Sequence, residues 1–219
     1  MDLKKWYIDS EWIPSNSGEY SDCLTSICIK DSFTNQYKMW VWFPEEDKEE
    51  YNNGLMNNRA LVEDCELKIF DSEAKMLATF VQDLYDSQVD MLIGWYMLGA
   101  DIPQIINRMS AVGLNPNTLS PYGEVKGVNS VGKVFNTVNK YAMVAQPIKG
   151  ITTLNLDFAF ERQWADEQQG DLPSTSLDFV SNLLFNEGKE VSERFPDPED
   201  FYRRAWLEDT VCYLSYLKK

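Results

Sequence analysis

Phe70–Met109 reads FDSEAKMLATFVQDLYDSQVDMLIGWYMLGADIPQIINRM. Leu77, Phe80, Val81 and Leu84 recur at helical spacing behind Ser72, whose short hydroxyl side chain suits an N-cap. Met91-Leu92-Ile93 is a compact apolar run closed by Gly94, as a central strand requires. Asp101-Ile102-Pro103 opens a second helix, with proline in the first turn where its missing N–H costs nothing. The stretch predicts helix, buried strand, tight connection and helix. It also stands one acid, Asp101, in that connection at the edge of a sheet, where α/β folds place their chemistry.

Working outward, Leu3–Asp9 (LKKWYID) reads as a first strand running into Asp9-Ser10-Glu11. Leu24–Lys30 and Tyr37–Phe43 read as two strands of a hairpin, because Asp31-Ser32-Phe33-Thr34-Asn35 between them has turn composition. Pro44–Asp64 is acidic and asparagine-rich and reads as a solvated loop with at most one helical turn, before a short strand at Leu67–Phe70. Gly113–Gly132 is expected to be a long, partly mobile excursion. Val144–Leu156 reads as strand-like pieces around Gly150, and Asp157–Asp166 as a helix. A further helix is expected behind Ser174 or Thr175, with Leu177, Val180, Ser181 and Leu184 facing inward. Glu187–Pro198 reads as a charged loop, and a last helix runs from about Glu199 to the end. The 219 residues are expected to form one α/β domain with a mixed central sheet flanked by helices.

Composition narrows the chemistry. No run of eighteen apolar residues and no apolar signal core occur, so the expectation is a soluble, cytoplasmic protein with no membrane partner. Cys23, Cys28, Cys65 and Cys212 are scattered without a C-x-x-C pair, which suggests free thiols rather than a zinc site or disulfide framework. The absence of histidine excludes every histidine triad, general base and zinc ligand. A net charge of −15 would repel a polyanion unless carboxylates hold divalent cations, which reverse the local sign.

Asp9-x-Glu11 puts two carboxylates on one face of a strand. That is the arrangement needed to share a divalent metal. Phosphodiester hydrolysis commonly uses two such ions about 3.5–4 Å apart, and Mg²⁺ or Mn²⁺ suits an all-oxygen donor set. Asp101, and Asp209 in the last helix, are candidates to complete the site. Each acid taken singly has a simpler explanation: D-x-E recurs at Asp71-Ser72-Glu73 as helix-start chemistry, Asp101 can be a helix N-terminal charge, and Asp209 can be solvated.

The order and surroundings of these acids resemble a known family, the 3′–5′ proofreading exonuclease domain of family-B DNA polymerases. WYIDSEW is similar to its first motif, a strand ending in D-x-E, at Asp9 and Glu11. GWYMLGADIPQIINR resembles its second, GWN–x₃–FD–x–P followed by an arginine, with Asp101, Pro103 and Arg108 retained. LSPYGEV, IKGITTLNL and LPSTSLDFVSNLLFNEGK resemble further family segments, and the third motif, Y-x₃-D, falls with its aspartate at Asp209. The resemblance implies a ribonuclease-H-like fold and two-metal hydrolysis of the 3′ end of single-stranded DNA, beside a polymerase portion in cis or on a separate chain. It implies that Asp9 bridges both metals, that Glu11 and Asp209 hold the one activating the water, and that Asp101 serves the second. Four positions depart: Tyr96 stands for asparagine, Ala100 for phenylalanine, Ala205 for the tyrosine that orients the water, and Asn155 for an aspartate. They motivate an alternative, a weakened or inactive structural or DNA-strand-binding module. An RNA exonuclease of the same broad fold is a third reading. Tyr122, Phe135 and Tyr141 could stack on a frayed strand, but packing of their loop onto the sheet is the preferred explanation.

Overall fold

The computed structural model describes residues 2–15, 18–44, 65–126, 146–167, 170–188 and 193–218. Six strands form one mixed sheet: β1 (Lys5–Trp12), β2 (Leu24–Asp31), β3 (Tyr37–Val41), β4 (Cys65–Ile69), β5 (Met91–Gly94) and β6 (Thr152–Asn155), in spatial order β4-β3-β2-β1-β5-β6. β1, β2 and β3 pair antiparallel, while β3–β4, β1–β5 and β5–β6 are parallel. The helices are α1 (Glu73–Asp86), α2 (Asp101–Ala111), α3 (Leu156–Asp166), α4 (Leu177–Phe185), α5 (Pro198–Glu208) and α6 (Thr210–Leu217). This is the expected α/β class, consistent with a ribonuclease-H-like sheet. Most of the predicted loop at Pro44–Asp64, together with Phe135 and Tyr141, lies outside the described residues.

Strand alternation divides the core into two layers. Trp6 and Ile8 of β1, Ile27 and Ile29 of β2 and Trp40 of β3 pack with Met76, Leu77 and Phe80 of α1 and with Ile102, Ile105 and Ile106 of α2. The intervening residues Cys28, Met39 and Val41 face the other way, onto Phe201 and Ala205 of α5 and Tyr213, Leu214 and Leu217 of α6. β2 is covered on both faces, which explains why LTSICIKD lacks the polar alternation of a half-exposed strand. Trp6, Trp40 and Phe80 meet at centroid distances of 5.3–6.5 Å. The two indoles donate to Asp31 and Asp83 at 2.9 and 2.7 Å, so neither buried N–H is orphaned.

Several boundaries differ from the sequence reading. β1 continues to Trp12, so Asp9 and Glu11 lie within the strand rather than at its end. The cap of α4 is Ser176, whose hydroxyl accepts from the Phe179 N–H, not Ser174 or Thr175. Leu177 and Leu184 are exposed, and Val180 is the buried residue of that helix. The last helix is two helices broken at Asp209, which stands at φ −150°, ψ 66° as the cap between them. The described part of the excursion after Gly113 holds a 3₁₀ turn at Pro116–Leu119 and folds back through a Val125–Ile148 bridge.

Arg108 makes a structural joint. Its Nε and Nη2 donate to both oxygens of Glu73 at 2.8 and 2.6 Å, and Glu73 also accepts from the Leu24 N–H at 2.9 Å. Glu73, read in the sequence as a helix-start acid, is 4% exposed and ties α1, α2 and β2 together. Arg108→Ala leaves that carboxylate buried without its partner and should cost about 3 kcal/mol, read as a lowered urea midpoint with an unchanged m value.

Candidate active site

β1 is paired with β5 only through Lys5–Met91, Trp6–Leu92 and Tyr7–Ile93, and then runs on past the end of β5. The space beside Asp9–Glu11 is filled by the turn that leaves β5. Gly94 is required there, because a Cβ would lie 2.9 Å from the Ile8 carbonyl oxygen and 2.8 Å from the Met97 Cβ. Tyr96 follows at φ +52°, a conformation bulky residues rarely adopt, and its half-exposed ring lies over Gly99. The strained turn is pinned from β6 and α3: Asp157 accepts from the Tyr96 N–H at 3.3 Å and Asn155 Oδ1 from the Leu98 N–H at 3.0 Å. An amide oxygen serves that bond as a carboxylate would, so the departure at Asn155 keeps the anchor.

This turn delivers Asp101 to the N-terminus of α2, where it is 3% exposed. The Ser10 hydroxyl donates to Asp101 Oδ1 at 2.6 Å, which links β1 directly to the helix start. Burial, and then the negative charge of Asp9, push the Asp101 carboxyl up to about 7, while the Ser10 bond opposes the shift. A buried carboxylate whose ionisation is opposed by a neighbouring acid suits a divalent cation, which would relieve the repulsion. Ser10 carries no signal in the sequence; its role depends on which face of β1 meets α2.

Asp9 and Glu11 lie opposite Cys28 and Ser26 of β2, on the face covered by α5 and α6. Tyr213 of α6 reaches Thr25 at 3.0 Å and Ser26 at 3.3 Å, and Thr25 in turn donates to the Glu11 carbonyl at 3.1 Å. One turn on, Tyr216 meets Tyr202 of α5 hydroxyl to hydroxyl at 2.8 Å. Both Tyr213 and Tyr216 are held far above the ordinary phenol range, by burial first and by the Glu11 carboxylate second. Tyr216, absent from the sequence reading, and Tyr202 thus belong to the layer on the Asp9 and Glu11 face of β1.

Asp209 is arranged differently. Its carboxylate accepts from the Cys212 N–H at 3.1 Å and lies 3.9 Å from the Arg194 guanidinium. Among the described residues, no three Asp, Glu or Cys side chains converge closely enough to hold one metal ion. The structure therefore ties Asp101 to Ser10, which stands between Asp9 and Glu11 on β1, and leaves Asp209 at the α5–α6 junction. Tyr122 lies over Gly150 but is 72% exposed, so the expected packing of its ring onto the sheet is not found.

Residues 23–157 match the family described as DNA polymerase family B, exonuclease domain. The chain belongs to that family. No curated protein sequence matches it. Within the family-B exonuclease match lie Asp101 and the whole turn that positions it, whereas Asp9 and Glu11 precede the matched span and Asp209 follows it. The match sets the chain among exonuclease domains of family-B DNA polymerases, and no helix among the described residues is long and apolar enough to cross a membrane.

Ala205, which occupies the tyrosine position of the third motif, is fully buried in the layer formed by Phe43, Trp206 and Tyr213. A tyrosine there has no room to point a hydroxyl at Glu11. Ala205→Tyr should destabilise the fold by about 3 kcal/mol or more through overpacking and should not increase nuclease activity, as checked by chemical denaturation beside a nuclease assay.

Proposed function

We propose that the chain is a divalent-metal-dependent 3′–5′ exonuclease that removes nucleotides from the 3′ end of single-stranded DNA. Its context would be the proofreading part of an intracellular family-B polymerase, with the polymerase portion in cis or on a separate chain. The observation that supports the reading is buried Asp101, tied by the Ser10 hydroxyl to β1 between Asp9 and Glu11, inside a fold of the exonuclease family. Asp9 and Asp101 are the residues that would hold a shared ion, with Glu11 and Asp209 completing the set for two ions. Mg²⁺ or Mn²⁺ suits these oxygen donors. Bound there, such ions supply an activated water and offset the charge that builds on the phosphate.

The chain's own residues do the positioning. Ser10 fixes the Asp101 carboxylate, and the turn Gly94–Ala100 keeps it against β1. Tyr202 and Tyr216 pair hydroxyl to hydroxyl in the layer on the Asp9 and Glu11 face of β1, from which a phenol could orient a polar group approaching Glu11. A net charge of −15 means that a DNA strand approaches favourably only once cations are in place or a basic partner surface guides it.

A second reading, a strand-binding or structural module without chemistry, is favoured by one observation: Asp209 is engaged in capping and stands apart from Asp9 and Asp101. Digestion of a labelled single-stranded oligonucleotide in Mg²⁺ or Mn²⁺ separates the two. The exonuclease shortens it stepwise and releases mononucleotides, and Asp9→Ala/Glu11→Ala abolishes this; negligible cutting by both proteins supports the module. Tyr216→Phe and Tyr202→Phe should each lower kcat about ten- to a thousandfold, with KM nearly unchanged and their effects less than additive.

A further inference from the structure

The face of β1 that displays Asp9 continues, away from the acids, into a different surface. Side chains alternate along the strand, so Lys5 and Tyr7 project on the Asp9 side while Trp6 and Ile8 enter the α1–α2 layer. Tyr7 stands two residues from Asp9, about 7 Å along the strand. Its ring is 44% exposed. The register sets its neighbours: Lys30 of β2 lies directly across from Tyr7, and Tyr37 of β3 directly across from Lys30. On the other side come Ile93 of β5 and then Leu154 of β6, which is 36% exposed. Helices α5 and α6 cover the next row along, Cys28 and Met39, and the chain leaving α6 reaches only as far as Tyr37. The row from Tyr37 to Leu154 therefore crosses the sheet as a partly open shelf.

The shelf is basic although the chain carries a net charge of −15. The Lys30 ammonium lies 5.1 Å from the centre of the Tyr37 ring, and the Lys218 ammonium lies 5.6 Å from the same centre. Two cations drawn to one ring repel each other, and an anion bound beside them relieves that cost. Among the described residues Lys30 forms no salt bridge. The acids nearest in sequence are engaged elsewhere: Asp31 takes the Trp6 indole N–H on the opposite face, and Asp90 accepts from the Lys4 N–H. A half-exposed ring among lysines, continuous with a carboxylate site on one strand face, fits a chain that alternates phosphates with flat bases. An acidic peptide would answer the lysines but not the ring. We infer that this shelf holds the single strand upstream of the 3′-terminal nucleotide, with Tyr7 stacked on a base and Lys30 and Lys218 on its phosphates. The inference deepens the exonuclease reading and rests on it for the placing of the 3′ end at Asp9.

The probe is a fluorescein-labelled oligothymidylate of about twelve nucleotides, followed by anisotropy with the full chain in Ca²⁺. An abasic strand of the same length and charge serves as control. Tyr7→Ala should weaken oligothymidylate binding about tenfold and leave the abasic strand unaffected, while Tyr7→Phe keeps wild-type binding. Lys30→Gln should weaken both strands and reduce the slope of log K against log salt by about 0.7. Lys75→Gln, which removes the same charge on the exposed side of α1, should change nothing. Circular dichroism stays the same throughout, because Tyr7 and Lys30 are not core residues. In digestion, Tyr7→Ala should raise KM with kcat nearly unchanged. Wild-type binding by Tyr7→Ala, or an equal loss on the abasic strand, overturns the inference. Tyr7-dependent binding of polyglutamate in place of DNA assigns the shelf to an acidic protein and overturns it equally. If the wild-type chain cuts and Tyr7→Ala binds and cuts just as well, this inference fails alone. If nothing cuts and the Tyr7 dependence of binding holds, the exonuclease reading fails and the shelf stands as part of a strand-binding module.

Discussion

Asp101 is buried where desolvation and the Asp9 charge make its ionisation more costly, and the architecture is arranged to keep it there. β1 overruns β5, Gly94 lets the departing turn approach the Ile8 carbonyl, and Ser10 ties Asp101 to the strand from the opposite face. None of these features improves packing as such. A positive φ at Tyr96 and a buried carboxylate both work against stability, and they persist because Asp157, Asn155 and the α2 start fix the turn from several sides. Tyr96 is one of several described non-glycine residues at positive φ, and it is the one in the turn that carries the buried Asp101.

The two core layers divide the labour. The α1–α2 layer carries the larger apolar cluster and the Arg108–Glu73 joint, so it fixes Asp101 by rigidity. The α5–α6 layer is rich in aromatic residues, with Phe43 stacked on Trp206 at 4.7 Å and Phe201 between Tyr202 and Tyr216. It brings phenols up to the face of β1 that displays Asp9 and Glu11. The break at Asp209 makes this possible: a capping aspartate ends one helix and starts another, and α6 can then lay Tyr213 and Tyr216 against β1 and β2.

Much of this was legible in the sequence because it is local. The alternation in WYIDSEW, the apolar run MLI ending in glycine and the acid before Pro103 each report a strand face, a strand end or a helix start, and the structure has them there. What could not be read is what depends on distant partners. Arg108 looked like a motif residue and proves to be the partly buried partner of Glu73, a contact hidden from the sequence because it joins residues 35 apart. Leu177 and Leu184 have inward-facing helical spacing, but spacing names a common face without saying whether anything covers it. Tyr216 gave no signal at all, since a single tyrosine near a chain end acquires meaning only when a helix break turns it toward Glu11. The same break removes Asp209 from the continuous helix on which the third motif was read.

The account stands on Asp9 and Asp101 acting as one divalent-cation site, and metal binding without DNA tests that most directly. Mn²⁺ titrated into chelator-washed protein and followed by the loss of free-ion electron paramagnetic resonance signal should bind the wild-type chain. Binding should fall sharply in both Asp9→Asn and Asp101→Asn, while Asp71→Asn, on the exposed start of α1, should leave it unchanged. Equal Mn²⁺ binding by all four proteins would mean that the pair is not a metal site, and the carboxylate-based account of this exonuclease domain would fail with it.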